Sequence, residues 1–251
     1  MSETLRVVTL NIHKGLSQFN RRTVIHELRE GLRGLDPDVV FLQEVQGLNE
    51  RHAERFATWP KEPQHEFLAG ERWRTTYGRN ALYEHGHHGN ALLSRYPIVS
   101  SELEDVSDHR FERRGLLHTV VNVPGWRRNL HCLCVHLSLH ERGRRRQLDA
   151  IAERLAQIVE QDMPVIVAGD FNDWRHRASE ILNRRLGLSE VSISRHGRAA
   201  RTFPSLLPVL RLDRIYVRGF DVVTAQAHRG APWNRLSDHL AVSAELKHRG
   251  R

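Results

Sequence analysis

Val165-Ile166-Val167-Ala168-Gly169-Asp170-Phe171-Asn172-Asp173 is an apolar run that stops abruptly on carboxylates and an amide. Pro164 stands before it, so VIVAGD reads as a buried strand with a polar end. Where the chain stays extended past that end, side chains two apart share a face, and Asp170 and Asn172 address the same space. Four further segments repeat the design: TLNIHKG ends on Asn11, FLQEV on Glu44, CVHLSLH on His136, and RLSDHLAV carries Asp238 and His239. Strands packed in a sandwich deliver their ends to one rim, so polar groups far apart in sequence meet in a single cleft. Carboxylates and amides are hard oxygen donors, suited to Mg²⁺ or Mn²⁺, whereas zinc recruits Cys or several His.

Working outward, Leu5 to Leu10 is a predicted strand, and Thr23 to Leu35 is a predicted amphipathic helix carrying Val24, Ile25, Leu28, Leu32 and Leu35 near a 3.6 period. Asp36-Pro37-Asp38 stops that helix, and Val39 to Val45 is a second buried strand holding Glu44. Gln46 to His88 is polar and broken by Pro60 and Pro63, which predicts irregular structure above the sheet. ALLSRYPIV, GLLHTVVNV and NLHCLCVHL then read as antiparallel neighbours. A basic helix follows, with Leu148, Ile151, Leu155 and Ile158 as its apolar stripe and Arg142, Arg144, Arg145 and Arg146 in its first turns. A second helix is expected over Ala178 to Leu186, and the last strands are LDRIYV and LAVSAEL. Many strands are consecutive, so two sheets packed face to face with helices outside fit better than a wound parallel sheet. One domain over 1–251 is expected, because neither an internal repeat nor a low-complexity linker divides the chain.

Lys and Arg number 38 against 30 Asp and Glu, a net charge of +8 that favours contact with a polyanion. No apolar run reaches the length of a membrane span, and the first apolar stretch is too short for a signal peptide. Cys132 and Cys134 alternate onto one strand face, an arrangement for core packing, so a reducing, cytoplasmic setting is expected, as is a monomer. His85, His87 and His88 in YEHGHHGN read as a solvated turn, with phosphate contact by one of them or a metal site as the alternatives.

LNIHKG, QEV, GNALLSRYPI, VHL, GDFN, LDRIYV and SDH follow one another in an order that resembles the endonuclease/exonuclease/phosphatase (DNase I-like) superfamily. Within it the chain is most similar to small bacterial members carrying HGNALLSRYPI and RTFP with RLDRIYV. The resemblance implies an α/β (α+β) four-layer αββα sandwich of two mainly antiparallel sheets. It also implies a hydrolase that cleaves phosphate esters with a divalent metal ion, Mg²⁺ or Mn²⁺. By the same resemblance Glu44 and Asp238 serve the metal, and Asn11 the metal or the phosphate. Asp170 positions or deprotonates the attacking water, Asn172 bonds a phosphate oxygen, and His239 donates to the scissile phosphate. Asp213 orients His239, and His136 contacts the phosphate. Either Asp170 or His239 takes the proton, and either one or two metal ions take part.

Asn90 is placed on the same rim, and Arg113 with Arg114, ahead of the GLLH strand, are candidates for substrate phosphate. Trp73, Tyr77, Trp174 and Trp233 read as core or rim packing, with base stacking as the alternative. The basic balance makes nucleic acid, first of all DNA, the leading substrate. The rival is an anionic phospholipid or small phosphate ester, since the chemistry is indifferent to what the phosphate carries. A non-catalytic nucleic-acid-binding module is a third reading, opposed by the complete set Glu44, Asp170, Asn172, Asp213, Asp238 and His239.

Overall fold

Alternate side chains of the first strand divide between two apolar clusters: Leu5 and Val7 join one, Val8 and Leu10 another. A strand buried on both faces requires this division. The computed structural model describes residues 4–107, 113–175 and 177–250. The chain runs Thr4–Asn11 (β1), a 3-10 turn at His13–Gly15, Ile25–Leu35 (α1), Val39–Asn49 (β2), Glu50–Arg55 (α2), Gln64–Ala69 (α3), Arg74–Tyr83 (β3) and Gly86–Ser94 (β4). It continues through Ile98–Asp105 (β5), Gly115–Val121 (β6), Leu130–His136 (β7), Glu141–Ile158 (α4), Val165–Asp170 (β8), Arg177–Leu186 (α5), Ser189–Glu190 (β9) and Val191–His196 (α6). Asp213–Arg218 (β10), Phe220–Ala227 (β11), Trp233–Leu236 (α7) and Val242–His248 (β12) complete it.

The strands form two six-stranded sheets, ordered β11-β12-β1-β2-β4-β3 and β5-β6-β7-β8-β10-β9. Each is antiparallel except for one central parallel pair, β1 with β2 and β7 with β8, joined by the helical crossovers α1 and α4. Between the sheets lie Val7, Phe41 and Leu92 of the first against Cys132, Ile166 and Ile215 of the second. Leu28 and Leu32 of α1 cover the outer face of the first sheet, and Leu148, Ile151 and Leu155 of α4 that of the second. Helix, sheet, sheet, helix is thus the order of layers. Both cysteines are buried and free in the middle layer, as their alternation predicts.

Three expectations need correction. Gln46 to His88 is not irregular: it completes β2, forms α2 and α3, and builds the β3–β4 hairpin. β3 is an edge strand whose exposed residues are Arg74, Arg79, Leu82 and Tyr83, so it lacks the apolar alternation that marks a strand in sequence. ALLSRYPIV is not one strand; it breaks at Arg95–Pro97, where the chain leaves the first sheet and enters the second as β5. The edge strand β11 escapes sequence reading because it is half exposed and interrupted by a register shift between Val222 and Thr224. Among the described residues no helix is long and apolar enough to cross a membrane.

Under α4, the His118 and His131 rings stack with centroids 5.3 Å apart, and His118 Nε2 lies 3.0 Å from His131 Nδ1. One ring N–H donates to the other's lone pair, so at least one ring is neutral. Burial, then the facing His131 and Arg154, push His118 down to about 4, and burial with Arg218 lowers His131. A histidine depressed in the folded state contributes stability above its unfolded value, and that contribution is lost as pH falls toward the folded value. Urea unfolding is therefore expected to show stability falling between about pH 6.5 and pH 4, by on the order of 2 kcal/mol from this pair. In His118→Gln that part of the slope should vanish; an unchanged slope would remove the pair as its source.

Candidate active site

Register brings the polar strand ends together. Asn11 ends β1 opposite Gln43 of β2, one residue before Glu44, and His136 ends β7 opposite Asp170, the end of β8. Asp213 opens β10 directly opposite Asp170. Thr9 pairs with Val242 at the start of β12, so the Ser237-Asp238-His239 segment arrives just beyond Asn11. Gly169 permits the approach of β7 to β8: a Cβ there would lie 1.9 Å from the Val135 carbonyl oxygen.

Asn11 links the two halves. Its Nδ2 donates to Glu44 Oε1 at 3.3 Å and to Asp170 Oδ2 at 3.2 Å, while its Oδ1 accepts the His13 N–H. The amide thus turns nitrogen, not oxygen, toward the carboxylates and ties Glu44 to Asp170. Asp170 accepts the Asn172 N–H on Oδ1, and its Oδ2 lies 3.6 Å from His136 Nε2 and 3.8 Å from His239 Nε2. His239 Nδ1 donates to Asp213 Oδ2 at 2.9 Å. Ser237 Oγ accepts the His239 N–H and donates to the Asn11 carbonyl, locking this segment to β1. Asn172 is held by its Nδ2 on the Leu137 carbonyl.

Backbone strain gathers at the same place. Six described non-glycine residues have positive φ, and His13, Lys14, Glu44 and Asn172 are four of them. Such conformations persist only where surrounding structure over-determines them, and they cluster at functional sites.

The charges sort by environment. Burial would push His239 down, but the Asp213 and Asp170 carboxylates outweigh it and hold the imidazole well above its ordinary range, as a cation. Burial raises Asp170; the His239 cation opposes this and Asp213 reinforces it. Burial, then Arg114 and the His239 cation, keep His136 neutral. Burial alone would raise Glu44, yet Lys14, His13, the Asn11 amide and His239 leave it below its ordinary value, ionised. Asp170, Asp213 and His239 offer donor atoms within 4.8 Å of one another, a spacing a metal ion would accept. His239 Nδ1, however, is already committed to Asp213 Oδ2 at 2.9 Å, which makes these two a carboxylate–imidazole pair. Glu44, ionised and partly open, and Asp238, one-fifth exposed beside His13 at 3.4 Å, are the oxygen donors that fit a hard cation.

The remaining sequence candidates divide. Arg114 acts on His136 and His88 and so lies near the cluster, whereas Arg113 points outward to Asp105 at 3.4 Å. Asn90 does not line the rim with its amide N–H groups: Nδ2 donates across the sandwich to the Gly115 and Cys134 carbonyls. Trp73 and Trp233 are buried and Tyr77 is partly so; Trp174 is exposed, with the Arg144 guanidinium 4.3 Å from its ring centroid. Arg144 is turned inward onto the Ser138 and Leu139 carbonyls, which relieves the unfavourable charge at the start of α4. Lys14, whose Nζ lies 3.9 Å from Glu44 Oε2, was not singled out by sequence reading, although it stands in NIHKG beside Asn11. His87 and His88 lie on β4 rather than in a turn, and His88, pushed down to about 4 by burial, feels the Glu44 charge.

The model of the Endonuclease/Exonuclease/phosphatase family matches residues 8–239, from β1 to His239. The chain belongs to that family. It is 46% identical over 244 residues to the uncharacterized protein YbhP of Escherichia coli (strain K12), covering 97% of this chain and 96% of the relative. A UPF0294 protein of Yersinia enterocolitica is 28% identical over 253 residues, covering 98% and 85%. Among solved structures, an endonuclease/exonuclease/phosphatase from Bacteroides vulgatus superposes with TM-score 0.77 at 17% identity, covering 98% of this chain and 99% of that one. D. rerio TDP2 complexed with a single-strand DNA product gives TM-score 0.71 at 18% identity, covering 98% and 99%. These likenesses establish the DNase I-like sandwich, and membership makes the chain a hydrolase of this superfamily.

Proposed function

We propose that the protein is a divalent-metal-dependent phosphodiesterase in which water displaces an alkoxide at phosphorus in line. The observation that supports this most is the convergence of Asn11, Glu44, His136, Asp170, Asp213 and His239, from both sheets, within a continuous chain of short contacts. Glu44 and Asp238 would hold Mg²⁺ or Mn²⁺, with Asn11 fixing Glu44, and the ion when bound supplies charge stabilisation at the phosphate and the leaving oxygen. Asp170, raised by burial, accepts the proton of the attacking water. The His239 cation donates Nε2–H to a non-bridging oxygen as charge builds, with Asp213 fixing the ring. Neutral His136 and the free N–H of the Asn172 amide border the same phosphate.

DNA is the first substrate to try, on the strength of the net charge of +8 and of a like-folded protein solved with a single-strand DNA product. A lipid or small phosphate diester is a second reading, favoured by the apolar loop beside His239 described below. The test is a panel of single- and double-stranded DNA, RNA, phospholipid and bis(p-nitrophenyl) phosphate, each with Mg²⁺, Mn²⁺ or chelator. Hydrolysis of a diester that chelator abolishes is expected; inertness toward every diester with either ion would overturn the reading.

A further inference from the structure

Phe203 and Leu210 pair as an isolated antiparallel bridge, closing a short hairpin whose tip is Pro204-Ser205-Leu206-Leu207-Pro208-Val209. Loop tips are ordinarily polar, but here Leu206 is 56% exposed, Leu207 73%, Val209 54% and Leu210 37%. Single exposed leucines are commonplace; four large apolar side chains in five successive positions of one projecting loop mark a contact surface.

The base of the hairpin is built into the catalytic cluster. The Phe203 ring packs 4.9 Å from the His239 ring, Ser205 N–H donates to the Asp238 carbonyl, and Thr202 Oγ1 accepts the Asp213 N–H. Leu207 stands four positions beyond Phe203, so the tip lies within ~14 Å of that contact even at full extension. Beside the base runs a groove of about 890 Å³ lined by His196, Arg198, Arg201, Arg211 and Arg229, with no carboxylate in its walls. Arg198, Arg201 and Arg229 are exposed and form no ion pair among the described residues.

We propose that this hairpin docks the mouth of the site on an anionic lipid bilayer, the tip entering the acyl boundary and the arginines meeting headgroup phosphates. A small convex tip suits a bilayer, which needs no matching pocket, better than a protein interface, which needs about 20–30 residues a side. Nucleic acid would engage the arginines, but burying three or four exposed aliphatic side chains at once is a task better matched by an acyl layer. Docking stands apart from catalysis; that lipid phosphodiesters are the class it presents to the site rests on the phosphodiesterase reading.

The test is co-sedimentation with phosphatidylcholine vesicles made with or without phosphatidylglycerol. Binding to the anionic vesicles is expected, lowered about tenfold or more in Leu206→Ser/Leu207→Ser and weakened in Arg198→Ala/Arg201→Ala. Turnover of soluble bis(p-nitrophenyl) phosphate should be unchanged in the leucine double variant. In Leu207→Trp the indole emission should shift to the blue on adding anionic vesicles. Absence of wild-type binding, full binding by the serine variant, or a dimer that the serine variant dissolves would each overturn the proposal. Glu44→Ala separates the two ideas, since its diester turnover should fall about 10³-fold while its vesicle binding stays at the wild-type level.

Discussion

Glu44→Ala should lower metal-supported turnover of a phosphodiester by about 10³-fold, the loss expected when several kcal/mol of transition-state charge stabilisation disappears. Glu44 is the ionised carboxylate at the centre of the proposed metal site, and its backbone is held at φ 56 to aim it there. The fold should survive, because the side chain is one-fifth exposed and fills no part of the three apolar clusters. Glu44→Gln sharpens the test: it keeps the shape and an oxygen on the Asn11 amide but removes the charge. Calorimetric titration with Mn²⁺ should show both variants losing the affinity of the wild type. Full turnover in the glutamine variant would dismiss Glu44 as the principal ligand.

His239→Ala should lower kcat by about 10²–10³-fold, the range for deleting a donor aimed at developing negative charge. It also leaves Asp213 and Asp170 buried without the cation between them, so some loss of stability is expected alongside. Asp213→Asn separates the effects. It keeps the packing and an oxygen for the His239 Nδ1–H, so it should reduce kcat by a smaller factor, about 10–100-fold, with KM little changed. That split marks a positioning residue. Equal kcat in wild type and His239→Ala would remove the imidazole from the chemistry.

Much of the candidate cluster could be picked out in sequence because Asn11, His136, Asp170 and Asp213 close or open strands with strong apolar runs, while Glu44 lies within β2 and Asp238 and His239 lie just ahead of β12. VVTL before Asn11, VVFL before Glu44 and VIVAG before Asp170 announce buried strands whose ends must reach a common rim. Pairing register then does the rest, and register leaves no mark in a single sequence. Lys14 and His88 were harder to read because each comes into play through contacts with residues distant in the chain or on a neighbouring strand. The left-handed backbone at Glu44 and Asn172 has no sequence signal when the residue is not glycine. Edge strands were missed for a related reason: β3 and β11 each bury one face incompletely, and without full burial the period-two pattern fades. Asn90 is ambiguous in sequence because a buried amide flanked by apolar residues looks alike whether it faces a substrate or gives its Nδ2, as here, to two carbonyls of the opposite sheet.

β1 pairs on one side with β2 and on the other with β12, the first described strand against the last, with Thr4 opposite Lys247. A ribosome therefore delivers Glu44 and Asp170 before His239, whose ring comes to lie 3.8 Å from Asp170. Nascent or truncated polypeptides ending short of residue 239 carry the scissors without the hinge pin, and their central sheet waits with an unmatched flank for the tail to emerge. The cluster around Asp170 is therefore complete only once the last strand has closed the first sheet.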